Sequence, residues 1–401
     1  KPGAAMTELS LTPENTLPEG GLAGCFLARV WRPASGETPA GPSPVLVGDD
    51  GVHDLAHLAP TLSGLLALDD PAAAVTAGPG ERLGGVAEIL ANTAADGRDP
   101  GRPWFLAPTD LQALKACGVT FVRSMLERVI EEQAKGDPEQ AVDIRRAIGD
   151  QIGQSLADVK PGSAEAARIK EVLSARGLWS QYLEVGIGPD AEVFTKAQPM
   201  AAVGSGAEVG IHPGSSWNNP EPEVVLAIAP SGRIIGATLG NDVNLRDFEG
   251  RSALLLGKAK DNRASCAVGP FLRLFDDGFS LDDVRGMAID LRVEGADGFI
   301  LEGRSSLAEI SRDLQDLAAE ACGAHNQYPD GLLLFTGTMF APTEDRDAPG
   351  QGFTHHLGDV VSIATPLLGR LINRVNRTDR IPPWQFGTGA LMANLAARGL
   401  L

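Results

Sequence analysis

Two carboxylates one residue apart, Glu221 and Glu223, head an apolar run at 224–228, and Asn241-Asp242 ends a second run beyond the turn Pro230-Ser231-Gly232-Arg233. If both runs are strands, Glu221 and Glu223 point to one face, because strand side chains alternate with period two. A two-residue loop at Ser231-Gly232 pairs Pro230 with Arg233, and counting outward sets Glu221 opposite Asp242. Directly opposed residues share a face, so the three acids converge. Such a cluster repels itself unless a cation sits within it, and a hard divalent ion is the natural occupant of an all-oxygen site. Register decides the matter, since a turn one residue longer breaks the facing pair.

The elements around this hairpin read as a mixed α/β, β-rich chain. From Leu22 to about Ala107 short apolar runs alternate with Pro and Gly, and Asp49-Asp50-Gly51 is a turn signal between Val47 and Val52, so residues 1–112 are expected to form a small β-rich N-terminal domain. Lys1 to Ala5, which precede Met6, are read as an appendage outside the fold. Residues 113–401 are expected to form the larger, metal-binding domain. Its helical segment lies near 122–180, with amphipathic blocks at 141–152 and 165–173 broken by Pro161-Gly162. Strands are expected at Phe194, at Met200 to Val203, in the hairpin, at 286–293, at 332–338 and at 359–363, with a helix over 307–321. So many strands with so few helices predict a largely antiparallel core.

Composition narrows the partners. The chain of 401 residues carries 34 basic against 52 acidic residues, a formal net charge of -18, which argues against nucleic acid. A small anionic substrate stays compatible, because a bound cation inverts the local field. Cys25, Cys117, Cys266 and Cys322 form no CxxC pair and read as scattered thiols of a reducing cytoplasm. No apolar run approaches the roughly 18 residues of a membrane span, so a cytoplasmic protein without a membrane partner is expected.

Other motifs fall away. Gly204-Ser205-Gly206 followed by Gly210 has its third glycine one position late for a dinucleotide fingerprint, and Gly257-Lys258-Ala259 lacks the Ser/Thr of a phosphate loop. His53 and His57 lack the Glu and the third ligand of a zinc site, and His355-His356 reads as a structural or surface pair in a loop.

Taken together, Glu221-x-Glu223, the stretch 241–247, Lys260 followed by Val268-Gly269-Pro270, and Thr336-Gly337-Thr338 followed by 357–361 resemble the fumarylacetoacetate hydrolase superfamily, over roughly 118–376 in motif order. The resemblance implies a rolled β core preceded by a smaller domain, and a homodimer or homotetramer. It implies that Glu221, Glu223 and Asp242 bind Mg2+ or Mn2+, that Arg246 and Thr338 hold the substrate, that Lys196 borders the pocket, and that Lys260 works beside the metal as base or as electrostatic partner. A 2-oxo acid would chelate such an ion through carboxylate and keto oxygens, which acidifies its C3–H.

Hydrolytic members carry a His three residues before a Glu, and that pair activates water. Here Ser124 stands in the His place with Glu127 kept, and Glu249 stands where many members have Gln. Without the imidazole the usual base for water attack is missing. The lead-in 215–223 and the stretch 260–265 look closest to a branch of 2-keto-3-deoxy-pentonate dehydratases. That likeness implies a small-molecule 2-oxo sugar acid as substrate and 2,5-dioxopentanoate as product, with Glu127, or a water held by Ser124, protonating the leaving hydroxyl. An acylpyruvate-type hydrolase of the same fold and a non-catalytic 2-oxo-acid binding protein are the competing readings.

Overall fold

The computed structural model describes residues 9–135, 137, 140–141, 159–175, 179–340, 342 and 344–401. The N-terminal part supplies β1 (Phe26–Arg32), β2 (Gly41–Gly48), β3 (Gly51–Asp54), β4 (Arg82–Gly84) and β5 (Trp104–Leu106). Then follow β6 (Ala113–Gly118), β7 (Glu192–Ala197), β8 (Glu208–Ile211), β9 (Asn218–Asn219), β10 (Pro222–Ile228), β11 (Ile234–Asp242), β12 (Asn244–Leu245) and β13 (Cys266–Leu274). The last group is β14 (Ala288–Glu294), β15 (Ile300–Ser306), β16 (Leu332–Phe335), β17 (Val360–Thr365) and β18 (Gly369–Arg377).

An 11-stranded sheet runs β4-β3-β2-β1-β13-β11-β10-β16-β6-β7, with β5 on β1, and a 5-stranded sheet runs β15-β14-β17-β18-β8. Most pairs are antiparallel; β16–β6 and β18–β8 are parallel. The expected division near residue 112 falls between β5 and β6, and one sheet crosses it, because β1 pairs with β13.

The two large sheets share a core. Val224, Leu226 and Leu239 of the larger sheet join Leu291, Val293, Val361 and Ile363 of the smaller one. On the other face Val225 and Ala227 pack with Leu114, Phe335 and, from the helix Leu62–Leu66, Leu62 and Leu65. Glu221 and Glu223 are in phase with Val225, so the acids stand at the end of this second face.

The turn of the hairpin differs from the expectation, yet the register survives. Ala229, not Pro230, pairs with Arg233, and Gly232, at φ +83°, closes a three-residue loop with its N–H on the Ala229 carbonyl. Ile228 then faces Ile234, but Ala227 faces Gly236, so one extra residue, Ile235, bulges. Ile235 consequently packs on one face while Ala237, two residues on, packs on the other. The bulge restores the count, and the Asp242 N–H meets the Glu221 carbonyl at 3.1 Å. Burying a Val or Leu side chain contributes about 1.5–3 kcal/mol. A one-residue slip of β10 would carry Val224 and Leu226 onto the face that holds Val225 and Ala227, so the packing of the two faces, not the turn, fixes the register.

Three further expectations are corrected. Residues 200–203 are not a strand: Met200 sits at φ +69°, and only Val203 bridges Ala267. The helix expected over 307–321 is a 3-10 turn, Leu307–Glu309, followed by a helix at Leu314–Ala321 whose start is set by the Asp313 carboxylate accepting from the Gln315 N–H. The strand expected to reach 338 stops at Phe335, because Gly337 turns the chain at φ +91°. The helical segment appears as Val122–Gln133, Ala164–Ala175 and Gln181–Ile187. Within the block expected at 141–152, residues 142–152 lie outside the described residues. No helix among the described residues is long and apolar enough to cross a membrane.

Candidate metal centre

Glu221, Glu223 and Asp242 are buried, and one carboxylate oxygen from each lies within 4.8 Å of the others. The hairpin presents all three, as the alternation argument requires. Glu221 is held further by its N–H on Asn241 Oδ1 at 3.1 Å. Glu223 accepts from the Gly337 N–H at 2.6 Å, and the positive φ of Gly337 aims that donor inward.

Buried carboxylates cost several kcal/mol each unless compensated, and here cations surround them. The Lys260 ammonium, at the end of the helix Leu256–Lys260, bridges Glu221 Oε2 and Asp242 Oδ2, 2.9 Å from the latter. Lys196, fully buried on β7, stands 2.7 Å from Asp242 Oδ1 and donates to the Val243 carbonyl at 3.2 Å. Arg128, on the helix Val122–Gln133, reaches Glu221 Oε1 at 2.5 Å and Glu249 Oε2 at 2.8 Å. Glu223 alone of the three carboxylates has no ion pair among the described residues.

The electrostatics follow from these contacts. Burial pushes Glu223 well above the ordinary carboxylate range, and Asp242 and Glu221 add to the shift. Burial also raises Glu221, against the pull of Lys260 and Arg128. For Asp242 burial acts upward, but Lys196 and Lys260 outweigh it and hold the group below its usual value. Burial disfavours the Lys260 ammonium, yet Asp242 and Glu221 raise its pKa overall. The donor set is three hard carboxylate oxygens, one of them short of positive charge, and it fits a Mg2+-type ion.

A cavity opens beside the triad. Ser124, Glu127, Arg246 and Thr338 line it, together with Asn219 and Phe340. Ser124 donates its hydroxyl to the Phe121 carbonyl at 3.0 Å. Arg246 lies 4.3 Å above the Trp217 ring, donates to the Pro342 carbonyl at 3.2 Å and stands 3.9 Å from Glu127. Thr338 Oγ1 accepts from the Phe340 N–H at 3.1 Å. Lys196 stands behind Asp242, as a counter-charge and not at the pocket border expected of it.

Several residues at the site escaped the sequence reading. Arg128 lies four positions after Ser124, a spacing that puts both on one helix face and is the one signal that marks it. Glu192 shares a neighbouring cavity with Lys260, Glu223 and Thr338, and burial followed by repulsion from Glu249 pushes it up to about 7. Gly118 faces it across β6–β7, and a Cβ there would fall 1.9 Å from Glu192 Oε2, so the close approach requires glycine. His355 takes the structural role: it is buried, with Nδ1 3.2 Å from Asp359.

Residues 180–376 match the family described as fumarylacetoacetate (FAA) hydrolase C-terminal. The 2-dehydro-3-deoxy-D-arabinonate dehydratase of Saccharolobus solfataricus is 30% identical over 193 residues, which cover 47% of this chain and 60% of that protein. A probable 2-keto-3-deoxyxylonate dehydratase of Haloferax volcanii is 30% identical over 194 residues, covering 48% of this chain and 63% of that protein. The chain thus spans less than two thirds of the curated relatives it matches. Among solved structures, the apo form of 2-keto-3-deoxy-D-arabinonate dehydratase superposes with a TM-score of 0.60 at 20% identity, over 88% of this chain and 99% of that one. The form complexed with magnesium and 2,5-dioxopentanoate gives 0.59 at 19% identity over the same shares, and both likenesses speak to the fold. Residues 180–376, which carry the acidic triad, are the part of the chain that matches the fumarylacetoacetate hydrolase family.

Proposed function

We propose that this chain is a Mg2+-dependent dehydratase that removes water from a 2-keto-3-deoxy-pentonate to give 2,5-dioxopentanoate. The observation that carries the reading is the cavity beside the triad, in which a carboxyl, Glu127, and a hydroxyl, Ser124, occupy the wall where water activation would need an imidazole. The names of the two curated relatives support it. They denote one acid, because a carbonyl at C2 and a methylene at C3 erase the stereocentres that distinguish arabinonate from xylonate.

When bound at Glu221, Glu223 and Asp242, a divalent ion supplies Lewis acidity to a 2-oxo acid. Arg246 offers a planar fork of donors to the substrate carboxylate, and stacking on Trp217 fixes the plane of that fork. Glu192, poised near neutrality, is the carboxylate assigned to take the C3 proton. Lys260, held as an ammonium by its carboxylate neighbours, balances the negative charge this leaves. Glu127 gives a proton to the C4 hydroxyl, which departs as water; a C5 proton of the resulting 5-hydroxy-2-oxopent-3-enoate then shifts to C3, and the C4=C5 enol so formed ketonises to the aldehyde of 2,5-dioxopentanoate. Thr338 contributes a neutral hydroxyl to the wall.

The test is incubation with 2-keto-3-deoxy-D-xylonate and with its C4 enantiomer, 2-keto-3-deoxy-L-arabinonate, with Mg2+ and with chelator, followed by mass identification of products. Metal-dependent loss of one water from at least one enantiomer is expected. Two carbon fragments would instead indicate an acylpyruvate-type hydrolase, and no reaction with either acid would sink the reading.

A further inference from the structure

Asn219 is 2% exposed and lines the same cavity as Glu127, Arg246 and Thr338. Its Nδ2 donates to the Pro220 carbonyl at 2.9 Å, which sets the orientation of the amide and leaves Oδ1 as the remaining polar atom. Oδ1 has no hydrogen-bond partner among the described residues. Buried polar groups are ordinarily paired, so a lone acceptor beside a cavity calls for a donor. Asn244 faces Asn219 across the β9–β12 ladder and likewise leaves both its polar side-chain atoms unpaired among the described residues. The short ribbon cannot drift to relieve this. The neighbouring Asn218 N–H is tied to Thr354 Oγ1 at 3.3 Å, and Asn218 Oδ1 accepts from the His355 N–H at 3.3 Å.

An amide oxygen only accepts, so it selects O–H or N–H on a ligand. The keto and carboxylate oxygens of a plain 2-oxo acid are acceptors and would face it with nothing to give. A 2-keto-3-deoxy-pentonate has two hydroxyls. The one at C4 departs and needs a proton donor, which Glu127 can be and an amide oxygen cannot. The one at C5 keeps its oxygen: it is a hydroxyl in the bound substrate and becomes the aldehyde only after the C4 hydroxyl has left. We infer that Asn219 Oδ1 accepts the hydrogen bond of the substrate's C5 hydroxyl and is the residue that sets preference for a hydroxylated chain end. This inference rests on the dehydratase reading above. It adds a specificity determinant on the strand that leads into the triad.

Two ligands that differ only at C5 test it: 5-hydroxy-2-oxopentanoate and 2-oxopentanoate. Neither has a C4 hydroxyl, so neither can be dehydrated, and calorimetry in Mg2+ reads binding alone. The unsubstituted protein is expected to bind the hydroxylated acid about tenfold tighter or better, since a site built for a hydroxyl discriminates strongly against its absence. In Asn219→Ala the ratio is expected to fall to about one while affinity for 2-oxopentanoate stays within about twofold, which also reports that the site is still built. Asn219→Asp keeps an acceptor and is expected to keep the preference; its added charge acts equally on both ligands and cancels in the ratio. A ratio near one in the unsubstituted protein overturns the inference whatever the variants do, and so does an undiminished ratio in Asn219→Ala. An intact preference without turnover of either pentonate would remove the dehydratase reading and leave the hydroxyl subsite standing.

Discussion

Glu221 is the residue on which the site converges. Lys260 and Arg128 both reach its carboxylate, its N–H rests on Asn241, and its carbonyl receives Asp242. Glu221→Gln keeps the shape and removes the charge. The fold is expected to survive, because Lys260 keeps Asp242 and Arg128 keeps Glu249. Mg2+ affinity is expected to fall by about tenfold or more, since changes even outside the ligand set cost that much. Calorimetric titration of the folded variant checks this, and unchanged affinity would contradict the triad. The sequence exposed Glu221, Glu223 and Asp242 through alternation alone. It offered only the spacing from Ser124 as a mark of Arg128 and no mark of Asn219, because their importance comes from how a helix and a two-residue ribbon dock beside the hairpin.

At the scale of elements, most strands were legible, residues 200–203 being the exception, and strand ends were not. The hairpin shows why. Apolar alternation fixes which residues face the core, and that is a property of the sequence. Whether Pro230-Ser231-Gly232 closes as a two- or a three-residue loop depends on backbone geometry, and a bulge at Ile235 then absorbs the difference. The two departures cancelled, so the facing of Glu221 and Asp242 was right for an incomplete reason. Gly337 is a second case, where a left-handed residue ends β16 early and turns an N–H onto Glu223. Added at Gly337, a Cβ would lie 2.1 Å from Thr120 Oγ1, a hydroxyl already donating to the Thr336 carbonyl. Gly337→Ala is therefore expected to cost about 1–3 kcal/mol from backbone strain. A lower urea midpoint at unchanged slope checks it, and an unaltered midpoint would show that the turn relaxes freely.

At the scale of the whole molecule, the site sets chemistry against stability, and Glu192 is where the two separate. Its carboxyl is mostly covered, and burial followed by Glu249 lifts it from 4.5 to about 7. A folded-state pKa above the unfolded one means that the native protein binds the extra proton between those values. Stability contributed by this group is therefore full below about pH 4.5 and drains away as pH rises to about 7, by about 3 kcal/mol. Glu192→Gln removes the titration while keeping the shape. Urea unfolding of both proteins at pH 5 and pH 8 is expected to show a steeper loss in the unsubstituted protein, by about that amount, so that the variant gains relative stability at the higher pH. Equal losses would mean that Glu192 does not titrate differently in the folded state. The same substitution is expected to depress turnover of the pentonate, because an amide cannot take a proton. A variant that is firmer at pH 8 and poorer in turnover is the signature of a carboxyl kept buried for reaction and not for packing.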